Sequence, residues 1–188
     1  MNAFVRLGLP EKLVLDEAVL KQRVIEGSRR NHPDNGGSDE DFQAIRKAGE
    51  VLSSPALRIR EALIAAGGEL SERGEVPSAV MDVFSPVAGV LEEVSGFMIE
   101  RAKALSCLGR AVIDARLPAI KVRLEQMVGR VSELEDKMTS RFPGFDDFGW
   151  ENCLDEMAEI ARGLTFLRKW QGQLREASGA LFEVLLSE

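Results

Sequence analysis

The chain has 188 residues, 45% hydrophobic and 29% charged, with a net charge of −7. This composition suits a folded protein of one domain or two small ones, and the acidic balance excludes a general binder of nucleic acid or anionic membranes, which needs clustered Lys and Arg. No apolar run approaches a membrane span of about 20 residues, and "MNAFVRLGLPEKLVL" lacks the basic start, apolar core and cleavage site of a signal peptide, so a cytoplasmic protein is expected.

The first fifteen residues read as a short opening segment. Asp16 is a suitable N-cap for a helix whose apolar side carries Val19, Leu20 and Val24. That helix cannot run far past Asn31 and His32, because Pro33 disfavours the α conformation at the residue before it and has no N–H to donate. "DNGGS" supplies a loop. Ser38 or Asp39 caps the next helix, with acids in its first turn. Phe42, Ile45, Ala48, Val51 and Leu52 fall at helical spacing and give it one apolar face. "SSP" breaks the chain, and "ALRIREALIAAGG" forms a third helix ended by Gly67 and Gly68.

Residues 69–77 are polar and glycine-containing and read as a linker. Beyond them the helical periods lengthen. Residues 78 to about 108 are largely helical, with Ser85-Pro86 marking a start or a kink. Pro118 suits the first turn of a helix running to about Arg141. "FPGFDDFG" reads as a turn, and a last long helix covers roughly 149–186. The predicted fold is all-α: residues 1–68 form an antiparallel helical hairpin with flanking helices, and residues 78–188 form an antiparallel helical bundle. There is no strand pattern and no internal repeat.

Catalytic chemistry is sparse. The chain has one histidine and no tyrosine. No nucleophile elbow, phosphate loop or His-Glu-x-x-His pattern occurs. The acidic pairs Glu92-Glu93 and Asp146-Asp147 read as solvated positions. Cys107 and Cys153 are far apart and form neither a C-x-x-C pair nor a zinc set. We therefore expect no enzyme activity, no catalytic residue, no metal and no cofactor.

Charge is uneven. Residues 1–70 carry 10 basic and 11 acidic side chains, against 14 and 20 in the remainder. Within the first part, Lys21, Arg23, Arg29 and Arg30 gather on one helix. Residues 23 and 30 are two turns apart, as approximately are 21 and 29, which predicts a basic helix face.

The lone histidine lies in His32-Pro33-Asp34, between that basic helix and the Phe42–Leu52 helix. "LGLP" before the first long helix, the basic residues on it, and "HPDNGGSDEDFQAIRKAGEVLSSP" together resemble the J domain of DnaJ-type co-chaperones over about residues 2–65. The His-Pro-Asp tripeptide in a loop between antiparallel helices is that family's signature. The resemblance implies stimulation of ATP hydrolysis in a DnaK-type chaperone, with no catalytic group in the J domain itself. The residue chemistry agrees with this role. Asp34 can accept a bidentate, charge-assisted bond from a partner arginine. Pro33 fixes the loop, His32 is expected to donate to the loop backbone, and Lys21, Arg23, Arg29 and Arg30 would steer docking onto an acidic chaperone surface. The sequence departs from the family pattern at Asn31, where an aromatic residue is common, at Val24, where Tyr is frequent, at Ile25 and Glu26, where DnaJ has basic residues, and at Asn35, where Lys or Arg is usual.

The glycine/phenylalanine-rich and zinc segments of DnaJ are absent. A J domain, a short linker and a helical bundle instead resemble the HscB family of iron–sulfur assembly co-chaperones. The segments "PALRIREALIAAGG", "VPSAVMDVF" and "GLTFLRKWQGQLREASGALFE" are similar to that family's. The resemblance implies an HscA-type chaperone partner and an iron–sulfur cluster scaffold as client, bound on an apolar patch at Val80, Met81, Phe84 and Phe166. The family's patch is flanked by acids, where this chain has Ser85, Pro86 and Ala88. A J protein whose bundle binds another client, or serves as an oligomerisation or scaffolding module, is the alternative.

Overall fold

The computed structural model describes residues 2–70 and 74–186, with side chains to Val184; residues 71–73 of the expected linker and the last two residues lie outside the described residues. The helices are α1 (Ala3–Leu7), α2 (Glu17–Arg30), α3 (Asp39–Ser53), α4 (Pro55–Ala65), α5 (Ser78–Lys103), α6 (Cys107–Asp114), α7 (Leu117–Thr139), α8 (Phe142–Phe148) and α9 (Leu154–Leu186), with 3-10 turns at Pro33–Asn35 and Trp150–Asn152. No strand occurs among the described residues. The chain divides into two compact units, residues 1–75 with 138–165, and residues 76–137 with 166–188. Residues 138–165, expected as part of the C-terminal bundle, therefore group with the N-terminal helices.

In the first unit, α2 and α3 run antiparallel. Val24 meets Gly49 and Gly27 meets Ile45, so the pairing climbs one helix as it descends the other. Both glycines permit this close approach: a Cβ on Gly49 would lie 2.7 Å from Val24 Cγ2, and one on Gly27 3.0 Å from Ile45 Cγ2. Asp16 caps α2 as expected, accepting from the amides of Ala18 and Val19, and Ser38 caps α3 by accepting from Asp41 N–H. Ile45, Ala48 and Leu52 of α3 are buried with Ile59, Ala62 and Leu63 of α4. Gly67 adopts φ 81°, and the Gly68 amide returns to the Leu63 carbonyl, closing α4 at the expected glycines.

Three helices were not anticipated: α1, α6 and α8. The opening segment contains α1, capped by the Asn2 side chain and closed by Gly8 at φ 61°, with Phe4 fully buried. "FPGFDDFG" is the helix α8 and not a turn. Pro143 sits in its first turn, where no amide is needed, and Phe142 and Phe145 are buried. Burial of these two rings outweighs the turn propensity of the Pro-Gly pair.

The segment 138–165 is tied to the N-terminal helices by polar bonds. Asp146 of α8 accepts from the backbone amides of Leu13 (2.8 Å) and Val14 (2.9 Å) and from Trp150 Nε1 (2.9 Å). The Trp150 ring lies 5.7 Å from that of Phe4. Arg58 donates from Nη1 to the Leu13 carbonyl at 2.8 Å. Burial lowers the pKa of this guanidinium, while Glu17 and Asp146 act in the opposite direction. The connection between α1 and α2 is thus held from both sides, its amides by Asp146 and a carbonyl by Arg58.

In the second unit the long helices bury residues at three- and four-residue spacing. These are Val80, Val83, Val87, Val94 and Phe97 on α5, Ile120, Leu124, Met127 and Val131 on α7, and Leu167, Trp170, Leu174, Leu181 and Val184 on α9. That is the seam pattern of packed antiparallel helices. α5 continues through Pro86, so Ser85-Pro86 is not a helix start; the helix ends at Lys103, earlier than expected. Ser106 then caps the separate helix α6. α7 and α9 match the two expected helices closely, although α9 begins at Leu154 and the stretch before it is the 3-10 turn.

Candidate functional site

The His-Pro-Asp turn is held by its own backbone and by both flanking helices. His32 takes the extended conformation that a following proline demands, φ −65° and ψ 135°. Its carbonyl accepts from the Asn35 and Gly37 amides, at 2.9 and 3.1 Å, and the Gly36 amide donates to Pro33 O at 3.0 Å. Asn35 Nδ2 donates to the Arg29 carbonyl at 2.8 Å, fastening the turn to the end of α2. The His32 ring stands edge-on to Phe42 of α3, with centroids 5.1 Å apart.

His32 does not donate to the loop backbone through Nδ1, as the sequence reading expected. Nδ1 accepts from Asp34 N–H at 3.2 Å. The imidazole caps the 3-10 turn in the manner of an Asx residue. Asp34 is left with its side chain 88% exposed. One oxygen of this exposed carboxylate lies 3.5 Å from His32 Nδ1, and the rest of the group is open to solvent on a braced turn.

Gly37 fixes the exit from the turn. A Cβ there would lie 2.2 Å from the Asn31 carbonyl oxygen, a backbone atom that cannot give way alone. Gly37→Ala is therefore expected to distort residues 31–37 while α2 and α3 keep their mutual packing. Amide chemical shifts should change in the turn and remain close to wild type around Val24 and Gly49.

The basic residues do not form one face. At 3.6 residues per turn, Lys21 and Arg29 lie about 150° around α2 from Arg23 and Arg30, so the four form two rows on opposite flanks. All four are exposed. Arg23 is 4.0 Å from Glu26, while Lys21 and Arg29 have no carboxylate within ion-pair distance among the described residues. The Lys21 flank borders a groove between α2 and α3, which Arg46 of α3 also lines. Arg46 lies 6.0 Å from the ring centre of Phe42, the residue that braces His32. Sequence reasoning passed over Arg46; its position one turn after Phe42 was the available signal.

The four residues expected to form a client patch are not all on the surface. Val80 is 1% exposed and belongs to the core, seven residues before buried Val87 on the same seam. Met81 and Phe84 are 57% and 54% exposed, and Phe166 is 38% exposed. Phe84 and Phe166 both rest on Trp170, with ring centroids 6.1 and 6.0 Å away, and Trp170 itself is nearly buried. The surface is thus two phenylalanines on a tryptophan floor, with Met81 on the same helix as Phe84. Trp170 was missed, although it stands one turn after Phe166. Among the described residues, no group of three or more His, Cys, Asp and Glu is placed to hold a metal, and no helix is long and apolar enough to cross a membrane.

An all-helical chain with a His-Pro-Asp turn on its first long hairpin and a long-helix unit after it has the HscB-like fold. The solved structure that carries this comparison is the chaperone HscB from Vibrio cholerae, which matches with a TM-score of 0.63 and 20% sequence identity over 96% of this chain and 99% of that chain. At that identity the likeness is one of fold. No family model and no curated protein matches the sequence.

Proposed function

We propose that the protein is a co-chaperone that stimulates ATP hydrolysis by a DnaK- or HscA-type chaperone through the His32-Pro33-Asp34 turn. It would deliver a client, an iron–sulfur cluster scaffold, bound on the second unit. The observation that carries this reading is the exposed carboxylate of Asp34 on a turn braced by Phe42, Asn35 and Gly37. A carboxylate held in this way suits a bidentate arginine on the partner, and holding it costs little entropy on binding. The protein would act without a cofactor, in the cytoplasm, on protein partners and not on nucleic acid or membrane.

The client surface we propose is Met81, Phe84 and Phe166 over Trp170, with Val80 removed from the expected set. Aromatic anchors of this kind dominate the energetics of protein interfaces. Met81→Ala with Phe84→Ala is expected to cost only about 1–2 kcal/mol of stability, because both side chains are more than half exposed. Scaffold affinity should fall by about tenfold or more. A thermal melt paired with calorimetric titration of the iron–sulfur scaffold protein checks both. A stable double variant that binds as wild type would remove the patch from the client site. The presence of Ser85 and Ala88 beside Phe84, where the HscB family carries acids, favours a second reading in which the same surface takes a different client.

A further inference from the structure

Lys21, Ile25 and Arg29 are spaced four residues apart on α2, so they form one row about 12 Å long that leads to the His-Pro-Asp turn. Its two ends are the unpaired cations described above. Its centre is Ile25, 58% exposed. Lys21 and Ile25 also line the groove that Arg46 borders, together with the apolar Leu15, Leu20 and Val24 and the acids Glu17 and Glu50. A single exposed isoleucine is ordinary on a protein surface. An isoleucine centred between two unpaired cations, beside a groove of mixed apolar and charged lining and on the row that leads to the His-Pro-Asp turn, is a surface with a definite pattern.

Building on the co-chaperone reading, we propose that Ile25 is a specificity-determining contact for chaperone docking. The partner surface it fits is an apolar spot between two acidic groups on the ATP-dependent chaperone. Charge complementarity selects this occupant. A second copy of this chain, paired through the same row, would set Lys21 and Arg29 against their own kind. Nucleic acid and anionic lipid are disfavoured by Glu26 and Asp34 beside the row and by the net charge of −7. The opposite flank does not offer the same pattern, because Arg23 faces Glu26. The row would therefore use its cations for orientation and its centre for affinity, and a chaperone surface that is acidic throughout would be a poorer match.

The sign of a charge substitution at Ile25 tests this. The full-length protein is titrated against the DnaK-type and HscA-type chaperones of the same organism at about 50 and 300 mM salt, a range over which exposed charges become largely screened. Ile25→Ala is expected to weaken binding to the cognate chaperone by about fivefold with an unchanged salt dependence, and Ile25→Lys by about tenfold or more at both salts. If the docking surface is purely electrostatic, Ile25→Lys adds a cation and tightens binding at low salt. Tighter or unchanged binding of Ile25→Lys overturns the proposal while leaving the co-chaperone reading intact. A wild-type protein that binds and stimulates neither chaperone overturns the co-chaperone reading and this inference with it. Melting temperatures of both variants should match wild type, since Ile25 is mostly outside the core.

Discussion

Asp34→Asn is expected to abolish measurable stimulation of the chaperone ATPase while leaving the melting temperature unchanged. The two halves of this expectation come from different parts of the same residue. The Asp34 backbone amide donates to His32 Nδ1 and helps hold the turn, and the substitution leaves it in place. The side chain is 88% exposed, so its chemistry can change without disturbing packing. Asn keeps one acceptor oxygen but loses the charge and the second equivalent oxygen. A charge-assisted bond contributes about 1.5–3 kcal/mol, and loss of bidentate geometry to an arginine takes most of it, which is about 10–100-fold in docking affinity. Single-turnover ATP hydrolysis with the cognate chaperone reads the effect, and a thermal melt confirms the fold. An Asn variant that stimulates as well as wild type would mean the carboxylate is not the acceptor.

The second large effect is expected at Asp146, which lies outside the His-Pro-Asp turn. Its two oxygens satisfy three donors: the Leu13 and Val14 amides and the Trp150 indole. Asp146→Ala leaves all three without that partner at the point where α8 meets the connection between α1 and α2. Unsatisfied donors in partly buried positions cost about 1–3 kcal/mol each when water cannot replace the bond, so a total loss of about 2–4 kcal/mol is expected. For a chain of this length that lowers the melting temperature by about 5–10 °C. Asp146→Asn should fall between the two, because its amide oxygen can keep the Leu13 and Trp150 donors while its NH2 group meets the Val14 amide. Asp147→Ala, at the exposed neighbouring position, serves as the control and should melt as wild type. Equal melting of all four proteins would mean that the carboxylate bonds add nothing to the joining of residues 138–165 to the N-terminal helices.

These two sites show what could be read from the sequence. The His-Pro-Asp turn was legible because it is local. Pro33 dictates the conformation of His32, Gly36 and Gly37 supply the exit, and caps at Asp16 and Ser38 mark the helices on either side, all within about thirty residues. The role of His32 was reversed only because a ring nitrogen can donate or accept, and spacing does not choose between them. Asp146 was read as a solvated position because its partners at Leu13 and Val14 lie more than 130 residues away in sequence. No local pattern encodes such a clamp. α1 was missed because five residues are too few to show a period, and α8 because Pro143 and Gly144 read as a turn until the burial of Phe142 and Phe145 is known. Val80 was the nearest miss. Its position seven residues before Val87 placed it on the core seam, but its adjacency to Met81 and Phe84 drew it into the patch.

The braced His-Pro-Asp turn is proposed to drive a chaperone's ATPase. The direct measurement is single-turnover hydrolysis of ATP by the organism's own DnaK-type and HscA-type chaperones as the wild-type protein is titrated in. Saturable acceleration of at least one of them by about tenfold or more is expected, a barrier reduction of about 1.4 kcal/mol. Hydrolysis rates that stay at their basal values for both chaperones, with the titrated protein folded, would contradict it.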